Sequence, residues 1–297
     1  MIKDLVKQAK PLPSNSKLLI LGAGFSGHHI AALGRALGTN VICTRRSSEK
    51  GGADCIFDST TQTIPSKNIL KNVTHLLSCI PPDANGQDPV LFSLEKQIAD
   101  MPLQWAGYLS TTGVYGDCKG QWVNESDLPK PGLLRSKRRL ACEKTWQNSG
   151  LPVQILRLPG IYGPGRSALE NIRKGNLKMI HKPGQVFSRI HVDDIAGAAF
   201  HLMHLSDNGK RPAIINVADN RPSTNIEVMQ FAASLLEASL PPVEKFEKAA
   251  SKMSPMALSF WQENRKVNNQ MLCKELGYSL IHPDYQSGLR DCLTQSK

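Results

Sequence analysis

The chain has no apolar run near the roughly 18–20 residues that span a bilayer, so no membrane-crossing helix is expected. Aromatic residues are scarce, 6% of 297, and none interleave with basic residues as on a nucleic-acid surface. Acidic residues are in deficit: 25 Asp and Glu stand against 36 Lys and Arg, a formal charge of +11. The basic residues cluster at Arg135–Arg139 and from Arg173 to Lys182. No nucleic-acid motif accompanies them, so phosphate-bearing small ligands account for the charge more economically than a nucleic acid. The seven cysteines (Cys43, Cys55, Cys79, Cys118, Cys142, Cys273, Cys292) are odd in number and scattered. None are paired at metal-ligand spacing. Reduced thiols, no bound metal and a cytoplasmic protein are expected. Met1 to Lys17 is punctuated by lysine and lacks the apolar centre of a secretory leader. Internal repeats and low-complexity tracts are absent. A homodimer is compatible with the chain, and no membrane partner is expected.

What the sequence does contain is alternation. Lys17–Leu21 is an apolar strand. Gly22-Ala23-Gly24-Phe25-Ser26-Gly27 follows and opens a helix toward Leu37, and a second strand runs from Asn40 to Thr44. Further strands are predicted at Asp54–Phe57, Val73–Ile80, Trp105–Ser110 and Val153–Leu158. The strand before Pro81-Pro82 must end there, because proline cannot continue a ladder. Helices are predicted over Asp88–Asp100 and Leu133–Gln147. Strands alternating with helices predict a parallel sheet covered on both faces. Beyond Gly165 the alternation loosens. A short strand is expected at 177–180, and a helix over Ile195–His204 capped by Asp193 or Asp194. A buried strand is expected at Ala213–Val217, then a helix to Leu236 capped by Ser223 or Thr224. A helix in the tail is expected to end at Leu276-Gly277, a glycine C-cap. The fold expected is α/β: a doubly wound parallel Rossmann sheet over 1–164. A smaller C-terminal substrate lobe covers 165–297, and segments near 190–235 return to the first unit.

The strand–glycine loop–helix order is the context in which GxGxxG binds a dinucleotide. Gly22 permits the turn, Gly24 admits a pyrophosphate, and Gly27 packs helix on strand. Ala23, Phe25 and Ser26 complete the loop at a helix N-terminus whose N–H groups favour anions. An NAD site sets a carboxylate at the end of the second strand. Here that strand ends Cys43-Thr44-Arg45-Arg46. Guanidinium groups bind a 2′-phosphate where a carboxylate would repel it, so NADP is expected, with NAD as the alternative. Cys79, Ile80 and Pro81, at the end of the next long strand, join the expected cofactor set.

Four stretches resemble the extended short-chain dehydrogenase/reductase superfamily. They are Ser110-Thr111-Thr112-Gly113-Val114-Tyr115-Gly116, Arg157-Leu158-Pro159-Gly160-Ile161-Tyr162-Gly163-Pro164-Gly165, Ile190-His191-Val192-Asp193-Asp194-Ile195-Ala196 and Ile215-Asn216-Val217-Ala218-Asp219. The tail, from Glu275-Leu276-Gly277-Tyr278 to Gly288-Leu289, is similar to the end of the same family. The chain looks like the branch related to nucleoside-diphosphate-sugar epimerases that lacks the active-site tyrosine. The resemblance implies that Thr111 takes the catalytic hydroxyl position. It also implies that Pro159, Gly160 and Ile161 line the nicotinamide side, and that Ile190–Ile195 is mostly scaffold.

Where the family has Tyr-x-x-x-Lys, this chain reads Leu133-Leu134-Arg135-Ser136-Lys137-Arg138-Arg139. Two registers are open. Either Lys137 is the family lysine and Leu133 replaces tyrosine, or Arg135 and Arg139 replace the pair. The second is preferred, since Arg135, Arg139 and Glu143 then share a helix face at i, i+4 and i+8. Arginine stays protonated and cannot relay a proton. It can hold an anion or polarise a carbonyl. Such arginines are expected to be partly open to water or partnered by a carboxylate such as Glu143 or Glu125. The alternative is a solvated basic face. Tyr115 and Tyr162 are the phenols left near the expected cleft, as proton donors or as packing; His191, His201 and His204 are expected to be structural.

The sequence thus points to an NAD(P)(H)-dependent oxidoreductase or epimerase-like enzyme for a small anionic or nucleotide-sugar-like substrate. Thr111, Tyr115, Arg135 and Arg139 are the catalytic candidates. The alternative is a non-catalytic NADP(H) redox sensor on the same scaffold.

Overall fold

The computed structural model describes residues 2–47, 51–175 and 177–295. Its centre is a seven-stranded sheet in which every pairing is parallel. We number these strands β1 (Lys17–Leu21), β2 (Asn40–Arg45), β3 (Cys55–Ile56), β4 (His75–Ser78), β5 (Trp105–Thr111), β6 (Val153–Leu158) and β7 (Ile214–Asn216). Their spatial order is β7-β6-β5-β4-β1-β2-β3. The chain winds from β1 to one side, then returns to β4 on the other. The reversal leaves a crevice at the carboxyl ends of β1 and β4, where ligands bind in open α/β sheets.

Side chains alternate across each strand, so β1 feeds two cores. Leu18 and Ile20 pack under the helices Phe25–Ala36 and Val192–Asp207. Leu19 and Leu21 pack under Pro89–Ala99 and Leu134–Gln147. Asp88 caps the first of these last two helices, its Oδ1 accepting from Val90 and Leu91 N–H. A third cluster, with Tyr162, Leu169, Val228, Tyr285 and Leu289, forms the core of the C-terminal part. β7 comes from that later half yet completes the main sheet against β6. Among the described residues no helix is long and apolar enough to cross a membrane.

Element edges differ from the sequence expectation mainly at the caps. The helix expected from Ile195 begins at Val192, and neither Asp193 nor Asp194 caps it. His191 does, its Nδ1 accepting from Asp193 N–H at 3.2 Å. Asp194 is instead spent on the distant tail. Its carboxylate accepts from Tyr278 Oη (3.1 Å), Ile281 N (2.7 Å) and His282 N (2.9 Å). The long-range use wins because three donors outweigh one capping bond. Thr224 does cap the helix Asn225–Leu236, in a capping box with Glu227. The segment expected to end at Gly277 is a single wide turn, Met271–Glu275, and Gly277 follows at φ +76°.

Candidate active site

The glycine loop joins β1 to the Phe25–Ala36 helix, and its three glycines meet three different demands. Gly22 has φ +96°, and a Cβ there would lie 2.9 Å from Ile80 Cγ1. A Cβ on Gly27 would collide with the carbonyl oxygen of Gly22. Gly24 is exposed, with nothing within 4 Å of a built Cβ. The open side of Gly24 therefore faces free space at a helix N-terminus, the shape a pyrophosphate needs. Residues Gly22–Gly27 fit a dinucleotide on this ground.

Neighbouring strands hold the loop in place. Ala23 N–H donates to Thr44 O (2.7 Å) and Gly22 N–H to Thr44 Oγ1 (3.2 Å). Arg45 and Arg46 follow Thr44 directly, so the end of β2 lies beside the loop. Neither arginine has a carboxylate partner among the described residues. On the other flank Cys79 N–H donates to Leu21 O (2.9 Å), and Cys79 and Ile80 touch Gly22. Burial pushes the Cys79 thiol up to about 12. Pro81 is exposed at the strand exit.

A cavity of roughly 540 Å³ opens beyond the ends of β5 and β6. Thr111, Gly113, Arg135, Ser136, Arg139 and the segment Pro159–Tyr162 line it, together with Arg189, Ser259–Trp261, Glu263 and Arg265. The cavity receives Arg135 and Arg139, whereas Leu133 and Lys137 are not on its wall. Four arginines and one carboxylate stand on that wall among the described residues. Arg265 pairs with the carboxylate, Glu263, at 2.8 Å. Arg139 Nη1 donates to Leu109 O (3.0 Å) and Tyr108 Oη (3.2 Å), both neutral acceptors. Arg135 Nη1 donates to Ser259 Oγ and Met256 Sδ, and its guanidinium lies 4.7 Å from the centre of the Phe260 ring. Arg135 is exposed and Arg139 half-buried, so both keep water as a partner.

The carboxylate partners expected for these arginines are engaged elsewhere. Glu143 is 1% exposed and turns into the sheet. It pairs with Arg157 at 2.7 Å and accepts from Ser110 Oγ. Glu125 accepts from Asn216 N–H at 2.8 Å. An i, i+8 step advances about 80° beyond two full turns, which carries Glu143 off the face of Arg135 and toward the sheet.

Tyr115 does not line the cavity. It is 2% exposed, and its hydroxyl donates to Asn216 Oδ1 at 2.9 Å. Burial holds its phenol above the ordinary value, with Arg157, 4.7 Å from its ring, pulling the other way. Tyr162 does line the cavity, but its hydroxyl donates to Asp284 O at 3.3 Å in the C-terminal part. Thr111 Oγ1 accepts from Gly113 N–H at 3.1 Å, which leaves its own proton free to donate. His191 caps a helix, and His201 bonds Leu276 O at 2.7 Å.

Several wall residues were invisible to sequence reasoning. Ser136 is 2% exposed, and its Oγ and Thr111 Oγ1 lie 2.8 and 3.3 Å from one point above Gly113. Its spacing of seven from Glu143 was the available signal, since residues seven apart share a helix face. Arg189, Glu263 and Arg265 come from distant segments with no local pattern. Glu263 Oε1 is buried with no hydrogen-bond donor among the described residues, an acceptor held at the cavity.

Residues 18–218 match the NAD dependent epimerase/dehydratase family. Protein YeeZ of Escherichia coli K12 is 28% identical over 193 residues, 60% of this chain and 58% of its own length. The chain therefore matches well under two thirds of that curated relative. A functionally unknown conserved protein from Silicibacter pomeroyi has a similar structure, with 37% identity and a TM-score of 0.84, over 94% of this chain and 99% of the other. The human epimerase family protein SDR39U1, solved with NADPH, shares the fold at 19% identity and a TM-score of 0.71, over 94% of this chain and 99% of that one.

Proposed function

This chain belongs to the NAD dependent epimerase/dehydratase family, and we propose that it is an NADP(H)-preferring oxidoreductase or epimerase-like enzyme for a small anionic substrate. The observation that carries this reading is the pair Arg135 and Arg139. They line one cavity with Thr111 and Pro159–Ile161, and neither has a carboxylate partner among the described residues. When bound, the nicotinamide supplies or accepts hydride. Gly22–Gly27 would hold its pyrophosphate and Arg45 with Arg46 its 2′-phosphate.

The remaining chemistry belongs to the wall. Arg135 and Arg139 bind the substrate's anionic group and orient it. Thr111 donates its free hydroxyl proton as a hydrogen bond to a substrate oxygen, and the Arg139 charge stabilises negative charge developing there. A guanidinium is a hydrogen-bond donor and offers no acceptor. The helix Leu134–Gln147 carries no tyrosine. Proton delivery therefore falls to water or to the substrate itself.

A second reading, a redox sensor, is favoured by one observation: the hydroxyls of Tyr115 and Tyr162 are both committed to protein acceptors. Two measurements separate the readings. Calorimetric titration is expected to give tighter binding of NADPH than NADH, and equal affinities would reject the NADP preference. Labelled NADPH in a cell extract is expected to pass deuterium to a metabolite. Cofactor that binds but is never consumed would favour the sensor.

A further inference from the structure

We infer that His28 is a third side chain of the 2′-phosphate site, beside Arg45 and Arg46, and that NADPH binding places a proton on its imidazole. The inference rests on the NADP preference proposed above.

His28 follows Gly27 directly and projects, exposed, from the first turn of the loop's helix. Two elements bring cationic groups to one spot. A Cβ built on Gly52 would lie 3.5 Å from His28 Nδ1 and 3.8 Å from Arg45 Nη2. The ring from the helix and the guanidinium from the end of β2 thus converge on the 51–52 turn, where both glycines have positive φ. Arg45 Nε is buried and has no acceptor among the described residues. Asp54, a described carboxylate in this neighbourhood, is engaged with Arg35 at 2.6 Å and with Cys43 N–H at 2.7 Å. A cluster of donors with no free anion among the described residues is what a phosphate dianion completes.

The groups facing His28 set the sign. His29 lies on the same helix, its ring centre 6.1 Å away. Arg45 comes from β2, and Arg35, with Asp54 against it, lies further along the helix. Partial burial first, then His29, Arg45 and Arg35, hold the empty imidazole below its ordinary value. The ring is therefore neutral at pH 7.5. A 2′-phosphate, largely dianionic there because its second pKa is about 6, reverses the balance and draws a proton onto the ring. NADPH affinity then falls as pH rises through the pKa of the bound state. NADH lacks the phosphate and escapes the effect.

The test is isothermal titration of the full chain with NADPH and NADH at pH 7.5, in buffers of different ionisation enthalpy. Wild-type protein is expected to take up a fraction of a proton with NADPH and none with NADH. His28→Gln is expected to abolish the uptake and weaken NADPH binding about tenfold at pH 6.5, the scale of one hydrogen bond to a charged group, with NADH affinity unchanged. His28→Lys is expected to restore NADPH affinity without proton uptake. Undiminished uptake in His28→Gln, with NADPH still preferred, overturns the role of His28 and leaves the NADP reading standing. Equal affinity of wild-type protein for both cofactors defeats the NADP reading, and this inference with it.

Discussion

Glu143 and Arg157 form a buried ion pair beside Ser110, the residue before Thr111, 2.7 Å apart and almost free of solvent. Glu143 comes from the helix that carries Arg135 and Arg139, and Arg157 from β6. Ser110 Oγ completes the carboxylate, and the guanidinium stacks over Tyr115. The pair fixes the cavity's arginine helix against β6, and the Ser110 bond ties it to β5, the strand that presents Thr111. Glu143→Gln strands the Arg157 charge and is expected to cost about 3–5 kcal/mol in urea unfolding. Glu143→Leu combined with Arg157→Met is expected to recover most of that loss, because an apolar pair needs no desolvation. A cost for the double variant equal to that of Glu143→Gln would show that packing, not charge, is at stake.

The glycine loop offers a contrast between two substitutions. Gly24→Val meets open space and a backbone conformation open to any residue, φ −72° and ψ −155°. It is expected to stay folded and lose cofactor binding. Gly27→Ala drives a methyl group into the Gly22 carbonyl. It is expected to destabilise by about 1–3 kcal/mol, as overpacking does. Thermal unfolding with and without NADPH checks both. Retained binding in folded Gly24→Val would reduce the loop to a turn.

Arg135 is exposed, and its hydrogen-bond partners among the described residues are neutral. Arg135→Leu is expected to change stability by less than about 0.5 kcal/mol, the range of ordinary surface substitutions. Sulfate is expected to raise the Tm of the wild-type protein, by preferential binding to the folded state, and to raise that of Arg135→Leu less. Identical sulfate responses would remove Arg135 from anion recognition.

Burial, and after it His282, push the His191 imidazole down to about 3. Its folded pKa lies below the unfolded value near 6.5. The unfolded chain therefore binds the extra proton between those limits, and stability falls as pH drops through that window. The slope reaches at most about 1.4 kcal/mol per pH unit. His191→Asn keeps an acceptor for the cap and does not titrate. Its stability is expected to fall less than that of the wild-type protein between pH 6.5 and 4.5, and parallel curves would assign the acid loss to other groups.

The frame was legible because it is local. A strand, three spaced glycines and a helix follow one another in twenty residues, and β1 and β5 are short, largely apolar runs buried on both faces. Arg135 and Arg139 could be placed on a common face from helical spacing alone. The partners could not. Glu143 meets Arg157 across a helix–sheet interface, and Tyr115 meets Asn216 over a separation of 101 residues. The cap at His191 was missed because Asp194 carries a stronger long-range obligation to the tail than any capping preference. Side chains that answer to distant donors leave no periodic trace.

The pairing of β7 with β6 bears on how this chain comes into being and how it can be divided. A fragment ending near residue 164 would leave β6 as a bare edge, open to pairing with other chains. The sheet that holds the glycine loop is completed only once residues 214–216 have been synthesised, long after β1 has left the ribosome. The amino-terminal half therefore waits for its last strand, and separate expression of the two halves invites aggregation rather than two working domains.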